Sequence, residues 1–498
     1  METNLKEKLW SWEELEETLK DRYEDPDIIS VRLAFDYASE AHAGKKRYTG
    51  APYIIHPTAT AIRLAQMQLP LAVVIAGLLH DVPEDTDRTI EDVEAEFGAD
   101  IAKIVSGVTK LGKVKYRGIE RYAENLRKMF LAMAADVRVV FVKFADRLHN
   151  VETLFAMPEA KRSRVAKEVL EIYAPIASRL GMGDMKGRLE DNAFKYAFPK
   201  EYKEAVSLLD QNVQVREGDI DKTIDKAKTV LESDGVKIEQ VKGRRKFVFS
   251  FWRKLKRYHG DLSKIYDIVA IRVVVKDVAD CYAVLGTLHS HWPPLKGRIK
   301  DYIAQPKPNG YQSLHTTVFD ETCGIVEFQI RTHEMHEQAE YGVAAHWNYK
   351  QEGSEKKFDT MPWMEDLVDI HKEISAGEDF LTHLEEVKLD MFQDRIFVLT
   401  PEGDVIDLPE YSTPVDFAYA IHTEVGNQTV NAHVNDQAVP LDTILKSGDM
   451  VSITTNKSRK GPNPEWLKFV KTNQAQTKIR AATKSKVKQW IETMSRKK

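Results

Sequence analysis

Leu78-Leu79-His80-Asp81-Val82-Pro83-Glu84-Asp85-Thr86 places one imidazole and three carboxylates within six positions, directly after the apolar run Leu71–Leu79. The run reads as a buried helix. Pro83 could extend it only by losing a hydrogen bond and clashing with the preceding turn, so the helix is expected to end near Val82. His80 and Asp81 then sit on its last turn, with Glu84 and Asp85 on the turn beyond. Such a stop can gather metal ligands beside acid/base groups. A solvated acidic helix end is the plain alternative, and context decides between them. That context is Ile55-His56-Pro57 and Ala145-Asp146-Arg147-Leu148-His149-Asn150.

His56, His80, Asp81 and Asp146 together offer two nitrogen and two oxygen ligands. A mixed set of this kind suits Mn²⁺, Fe²⁺ or Zn²⁺ better than Mg²⁺. Glu84 and Asp85 are candidates to orient or deprotonate a water. Lys45 and Arg47, ahead of Gly50, could hold an anionic substrate, although a lone cation in such a loop is more often solvated. His42 shares an apolar helical face with Val31, Ala34, Phe35 and Ala38, and reads as a core histidine. Gly44 is a plausible helix stop. The valines of Asp136–Phe144 favour a strand, but the neighbours are helical, and a helix is expected.

The chain has 498 residues, 43% of them hydrophobic and 30% charged, with a net charge of −5. That length calls for several domains. Met1–Lys20 is acidic and amphipathic, without the apolar core of a signal peptide. Leu69–Leu79 is too short to span a bilayer, so no membrane is expected. Cys281 and Cys323 form no CxxC pattern, which fits a reducing cytoplasm. From Asn456 onward there are 13 Lys/Arg against two Asp/Glu. A basic tail on an acidic body suggests an anionic partner such as RNA, or simply a solvated helix.

Residues 1–198 read as helices, and Pro199 marks a boundary. A polar helical connector is expected over 199–241. From 242 to 350 strands and helices interleave as a mixed α/β domain, with β-branched runs at Ile265–Val275 and Ile325–Thr332. A charged linker, 351–388, leads to a small domain at 389–456, where Arg395–Thr400 and Gly403–Leu408 flank Pro401-Glu402 as a hairpin. The basic tail covers 457–498.

In the mixed domain, Lys242–Arg257 carries eight Lys/Arg. A polyphosphate needs several cations, although such a run is usually a solvated face. Asp267 and Glu327, on neighbouring strands, could hold Mg²⁺ against a triphosphate. Glu327, Gln329 and Arg331 share a strand face by the period of two, whereas Arg272 points away from Asp267 unless the strand starts late. The run Lys300-Asp301-Tyr302-Ile303-Ala304-Gln305-Pro306-Lys307-Pro308-Asn309-Gly310-Tyr311-Gln312-Ser313-Leu314-His315 is the most specific in the chain. A base can stack on Tyr311 while Lys300 and Lys307 bind phosphates; a structural Ω-loop is the alternative.

The first set of residues resembles the HD phosphohydrolases: an upstream His, a His-Asp pair and a distant Asp. Nearly the whole chain resembles the long RelA/SpoT homologues, enzymes that make and destroy the alarmone (p)ppGpp. The motifs are the HD set, Asp267-Ile268-Val269-Ala270-Ile271-Arg272-Val273, the 301–315 run, Glu327-Phe328-Gln329-Ile330-Arg331-Thr332, and Ala344-Ala345-His346-Trp347. The resemblance implies an all-α HD hydrolase domain, a nucleotidyltransferase-like α/β synthetase domain, a β-grasp TGS domain and a helical basic tail. It implies removal of the 3′ pyrophosphate of (p)ppGpp with Mn²⁺ on His56, His80, Asp81 and Asp146. Glu84 and Asp85 would serve the water, and Arg47, Asn150 and Thr153 would line the nucleotide. It implies transfer of pyrophosphate from ATP to GDP or GTP, with Mg²⁺ on Asp267 and Glu327. Arg244, Lys246, Ser250 and Lys254 would bind ATP, with Arg244 and Arg272 near the adenine. Tyr311 would stack on guanine, with Lys307, Asn309 and His315 holding the acceptor and Lys300 and Gln312 in the same loop. The TGS-like domain implies the ribosome and deacylated tRNA as partners.

Arg298-Ile299-Lys300-Asp301 matches the bifunctional branch of that family. Two departures stand out. Glu152 occupies a position where the family usually has Arg, and the family's C-terminal zinc-finger and ACT-type regions are not matched. A hydrolase with a regulatory pseudo-synthetase, and a ribosome- or tRNA-binding regulator, are the competing readings. Opposed reactions should exclude each other, with the connector that joins the two sites as the expected transmitter.

Overall fold

The computed structural model describes residues 7–24, 27–112, 128–212, 217–307, 310–345, 395–459 and 461–483, apart from single positions such as 130 and 134. Two compact units divide near residue 375.

The first unit begins as a helical bundle. The apolar helix Leu71–Leu79 is buried from Val73 to Leu79 and packs against the helix Ile55–Gln66. It stops one residue before His80, and Pro83 starts a separate single turn, Val82–Asp85. Arg138–Glu152 is a helix despite its valines. Val139, Val140, Phe141, Val142 and Phe144 are all buried, so tertiary burial overrides strand propensity. His42 is a core histidine as expected: it is buried, its Nδ1 donates to the Ala38 carbonyl, and its ring stacks on Tyr53 at 4.7 Å.

The α/β part is a five-stranded sheet ordered β1 (Ile238–Arg245), β2 (Val269–Val275), β5 (Gly324–Thr332), β4 (Leu314–Asp320), β3 (Lys300–Asp301). Only β2 and β5 pair in parallel. One face buries Ile271, Val273, Phe328 and Ile330 against the helices Glu217–Ser233 and Val278–His291. This corrects the connector expected over 199–241. Ile224, Ala227 and Leu231 are core residues of the sheet domain, and residues 238–241 begin its outer strand. The opposite face carries the polar residues.

The helix Gly183–Ala197 joins the two parts of this unit. Phe194 packs with Phe249 and Trp252, and the Asp191 carboxylate accepts from the amides of Val248 and Phe249. That cap satisfies two orphan donors at the start of the helix Val248–Arg257.

In the second unit, Arg395–Leu399 and Val405–Pro409 form the expected hairpin, and the helix Pro414–Ile421 packs beneath it. The segment 464–483 is not a free basic tail. Trp466, Val470, Ala475 and Ile479 pack on Val415 and Tyr419. The buried Asp416 carboxylate accepts from the amides of Lys471 and Thr472. Residues 484–498 lie outside the described residues, as does the linker 351–388.

Candidate active sites

Three helices converge on the first site. Ile55–Gln66 brings His56, the end of Leu71–Leu79 brings His80 and Asp81, and Arg138–Glu152 brings Asp146. His56 Nε2 lies 3.4 Å from Asp81 Oδ2 and 3.3 Å from Asp146 Oδ1. His80 Nε2 lies 3.2 Å from Asp81 Oδ1. His56, His80 and Asp146 can each present a ligand atom within 4.8 Å of the others.

The donor set fits a cation. His80 Nδ1 is 2.8 Å from the Gly77 carbonyl, which can only accept, so the ring proton is assigned to Nδ1. Nε2 then keeps its lone pair, is buried, has no hydrogen-bond partner and faces a carboxylate oxygen. Two acceptors set against each other in a dry site call for a positive charge between them. Burial pushes His56 down to about 4, so it is a neutral ligand at physiological pH. Burial works against ionisation of Asp146, but the ammonium of Lys143, 2.9 Å away, together with His56 and Arg147, outweighs it and holds the carboxyl well below its usual range.

Beside the cluster lies a cavity of about 300 Å³, lined by residues that include Lys46, Arg47, Thr49, Tyr53, Asn150 and Thr153. Arg47 Nη2 donates to Asn150 Oδ1 at 3.0 Å and to Thr153 Oγ1 at 3.2 Å. Asn150 in turn donates to Asp146. Lys45 is exposed; Lys46, not Lys45, lines the cavity. Partial desolvation raises the Glu84 carboxyl above the ordinary range. Glu152 turns away from the cavity to pair with Arg63 and with Arg188, so the departure from the family pattern does not put a carboxylate on the substrate.

Tyr53 was not foreseen. Its hydroxyl lies 2.6 Å from Asp85 Oδ2 and 2.9 Å from Asp81 Oδ2. It ties the carboxylate of Asp81, a candidate ligand, to that of Asp85, a candidate base. Its place three residues before His56, facing the same turn, was the available signal.

The second site lies on the polar face of the sheet. Arg272 is opposite Gln329, Ala270 is opposite Glu327, and His315 is opposite Gln329. Arg272 therefore shares the face of Glu327. The apparent conflict with Asp267 disappears because β2 begins at Val269, leaving Asp267 ahead of the strand and outside its alternation. Asp267 is ion-paired to both Lys246 and Lys254. These two cations outweigh its burial and hold its carboxyl down at about 2. Glu327 accepts from Gln329 at 2.8 Å and lies 3.4 Å from His315 Nδ1.

Tyr311 O–H is 2.8 Å from His315 Nε2, and the Lys307 ammonium lies 4.6 Å from the Tyr311 ring centroid. Burial pushes Lys307 down to about 8. Gln312 donates to the Ile303 carbonyl, which shapes the loop. Lys300 is exposed, and Ser250 lies on the helix with Lys254. Arg244 stands over the Phe247 ring. Asn309 and His346 lie outside the described residues. Arg272 pairs with Glu340 at 2.7 Å, and the buried Arg331 lies 3.8 Å from the same carboxylate.

A helical domain that closes a His, a His-Asp pair and a distant Asp around one point is of the HD class, here joined to a sheet whose polar face gathers lysines, arginines and carboxylates. Family models agree: an HD domain matches residues 34–183, a region found in RelA/SpoT proteins matches 243–354, and a TGS domain matches 396–455. A guanosine-3′,5′-bis(diphosphate) 3′-pyrophosphohydrolase of Aquifex aeolicus is 46% identical over 90% of this chain and 64% of its own length. A GTP pyrophosphokinase of Myxococcus xanthus is 44% identical over 94% of this chain and 62% of its own. The bifunctional (p)ppGpp synthase/hydrolase SpoT of Escherichia coli K12 is 42% identical over 96% of this chain and 68% of its own. The chain belongs to the RelA/SpoT family, and it spans less than two thirds of the length of the first two of these relatives.

Proposed function

We propose that this chain is a bifunctional alarmone enzyme. The helical site hydrolyses (p)ppGpp to GDP or GTP and pyrophosphate, and the sheet site transfers pyrophosphate from ATP to the 3′ hydroxyl of GDP or GTP. The observation that carries the reading is the meeting of His56, His80, Asp81 and Asp146 beside a cavity whose Arg47, Asn150 and Thr153 are already hydrogen-bonded to one another.

In the hydrolase, the four ligands would hold Mn²⁺, which supplies a Lewis acid that lowers the pKa of water and screens phosphate charge. Arg47 pairs with the anionic substrate, and Lys46 adds a second cation at the rim. Glu84, with its raised carboxyl, takes and returns the proton of the attacking water. Asp85 orients that water and is itself fixed by Tyr53. In the synthetase, Asp267 and Glu327 would hold Mg²⁺, which would supply positive charge to offset that of the triphosphate. Lys246, Lys254 and Ser250 line one flank, Arg244 and Arg272 take the adenine side, and Lys307, Tyr311 and His315 receive the acceptor.

Incubation with ppGpp and Mn²⁺ is expected to release GDP and pyrophosphate, and His80→Ala to abolish that release. ATP, GDP and Mg²⁺ given to His80→Ala are expected to yield ppGpp. No release by metal-replete wild type would overturn the hydrolase assignment, and no product from the variant would leave the sheet domain a regulatory nucleotide-binding module. The second unit and the basic residues after Asn456 are proposed to contact deacylated tRNA on the ribosome. Salt-sensitive tRNA binding lost on deleting residues 389–498 is the expected result.

A further inference from the structure

His56 has two ring nitrogens, and only Nε2 faces Asp81 and Asp146. The other, Nδ1, lies 2.8 Å from Nδ1 of His149. His149 is buried, and its ring meets that of His56 edge to edge, with centroids 5.0 Å apart and planes inclined by 26°. Its far nitrogen, Nε2, lies 3.4 Å from Oε1 of Glu7, a carboxylate only 3% exposed. That oxygen is buried and has no hydrogen-bond partner. The other oxygen of Glu7 accepts from the hydroxyl of Thr49, which lines the cavity. Glu7 precedes the residues matched by the HD model, and nothing in its sequence surroundings marks it out.

We infer that Glu7 and His149 are positioning residues that set the tautomer of His56 for metal binding. The inference rests on the hydrolase reading and deepens it. A nitrogen–nitrogen contact of 2.8 Å needs one proton between the rings. A neutral imidazole carries a single ring proton. For His56 to offer the Nε2 lone pair to a cation, its proton has to be on Nδ1, where it is donated to His149 Nδ1. His149 then carries its own proton on Nε2, pointing at Glu7 Oε1. A carboxylate at that place favours this arrangement.

The reverse arrangement disables the ligand. If His149 carries its proton on Nδ1, it donates to His56 Nδ1, and the only proton of His56 moves to Nε2. The lone pair needed by the metal is then gone. Asp81 and Asp146, which face Nε2, favour that reverse arrangement until a cation sits between them, and Glu7 at the far end of His149 favours the first. An imidazole and a carboxylate in series thus do what a single carboxylate does for many metal-bound histidines. The relay also brings the amino-terminal segment, through Thr49, to the lip of the substrate cavity.

The test uses the full chain. Mn²⁺ binding is followed by electron paramagnetic resonance for wild type, Glu7→Ala and Glu7→Gln. Glu7→Ala is expected to bind Mn²⁺ about 10–100-fold more weakly, and Glu7→Gln, which keeps an acceptor, to fall between. Ring ¹⁵N shifts of wild type holding diamagnetic Zn²⁺ in place of Mn²⁺ are expected to show His149 protonated at Nε2 and bare at Nδ1. That second measurement decides the matter even if the variants fold poorly. A His149 protonated at Nδ1, or a folded Glu7→Ala variant with wild-type Mn²⁺ affinity, overturns the inference alone. Wild type that binds no Mn²⁺ overturns the hydrolase reading and the relay with it.

Discussion

Glu152→Ala tests the packing behind the hydrolase cavity without touching it. Arg63 is 2% exposed; one of its terminal nitrogens donates to the Ala59 carbonyl and the other pairs with Glu152. Burial pushes the guanidinium down only to about 10, so at neutral pH it cannot escape the loss of its partner by shedding a proton. Breaking a buried pair by removing one member costs about 3–5 kcal/mol. Glu152 is 27% exposed, so water can reach the orphaned nitrogen and the lower end, about 3 kcal/mol, applies. At roughly 2–4 °C per kcal/mol for a unit of this size, the hydrolase transition should fall by about 6–12 °C in calorimetry of the full chain. KM for ppGpp should stay unchanged, because Glu152 does not line the cavity. Arg63→Met combined with Glu152→Leu removes both charges and should recover most of the loss. A single variant melting within about 2 °C of wild type, or a double variant as unstable as the single, would refute the reasoning.

Tyr53→Phe removes the hydroxyl shared by Asp81 and Asp85, and pyrophosphate release from ppGpp should fall about 10–100-fold with synthesis untouched. Lys307 is depressed from its ordinary value to about 8, so free enzyme loses this cation as pH rises through 8. The kcat/KM for GDP in synthesis should therefore fall on the alkaline side of about 8, while kcat, measured with phosphate bound against the ammonium, should not. Lys307→Arg, which cannot deprotonate, should weaken that break; Lys246, also pushed by burial to about 8, retains part of it. Gly187→Ala would set a Cβ 2.1 Å from the Phe247 ring, and should cost about 1–3 kcal/mol by calorimetry while lowering synthesis more than hydrolysis.

The cluster of candidate ligands was legible because its chemistry is carried by residue type. Two histidines and two aspartates, three of them at helix ends and Asp146 within a buried helix, have few other uses in a dry helical bundle. The hairpin at 395–409 was legible because Pro401-Glu402 separates two short strand-like runs. What stayed hidden depends on pairs far apart in the chain. Arg63 and Glu152 are 89 residues apart, and Glu7 and His149 are farther still. The period of two assigned Arg272 away from Asp267 because it assumed a strand starting at the carboxylate. The strand begins two residues later. Residues 217–233 were read as a polar connector because the count of charges outweighed a narrow stripe. Ile220, Ile224, Ala227 and Leu231 recur at helical spacing, and that stripe covers the sheet.

The same error in the connector shifts where communication between the two sites should be sought. A chain segment joins two sites covalently, but force passes only through packed contacts. Residues 217–241 belong to the sheet domain, packed into its core and its outer strand. The helix Gly183–Ala197 instead touches both sides. Asp191 caps the helix that carries Ser250 and Lys254, Gly187 leaves room for Phe247, and Gly183 lies so close to the Ala339 carbonyl that no side chain fits. On the other side, Arg188 reaches Glu152, next to Thr153 of the hydrolase cavity. A displacement of Val248–Arg257 would reach Asp191 through those two amide contacts, and the helix is closely packed at Gly183 and Gly187. Gly187→Ala should therefore disturb the balance between the two reactions, whereas a surface change such as Lys228→Ala, in the presumed connector, should leave it alone.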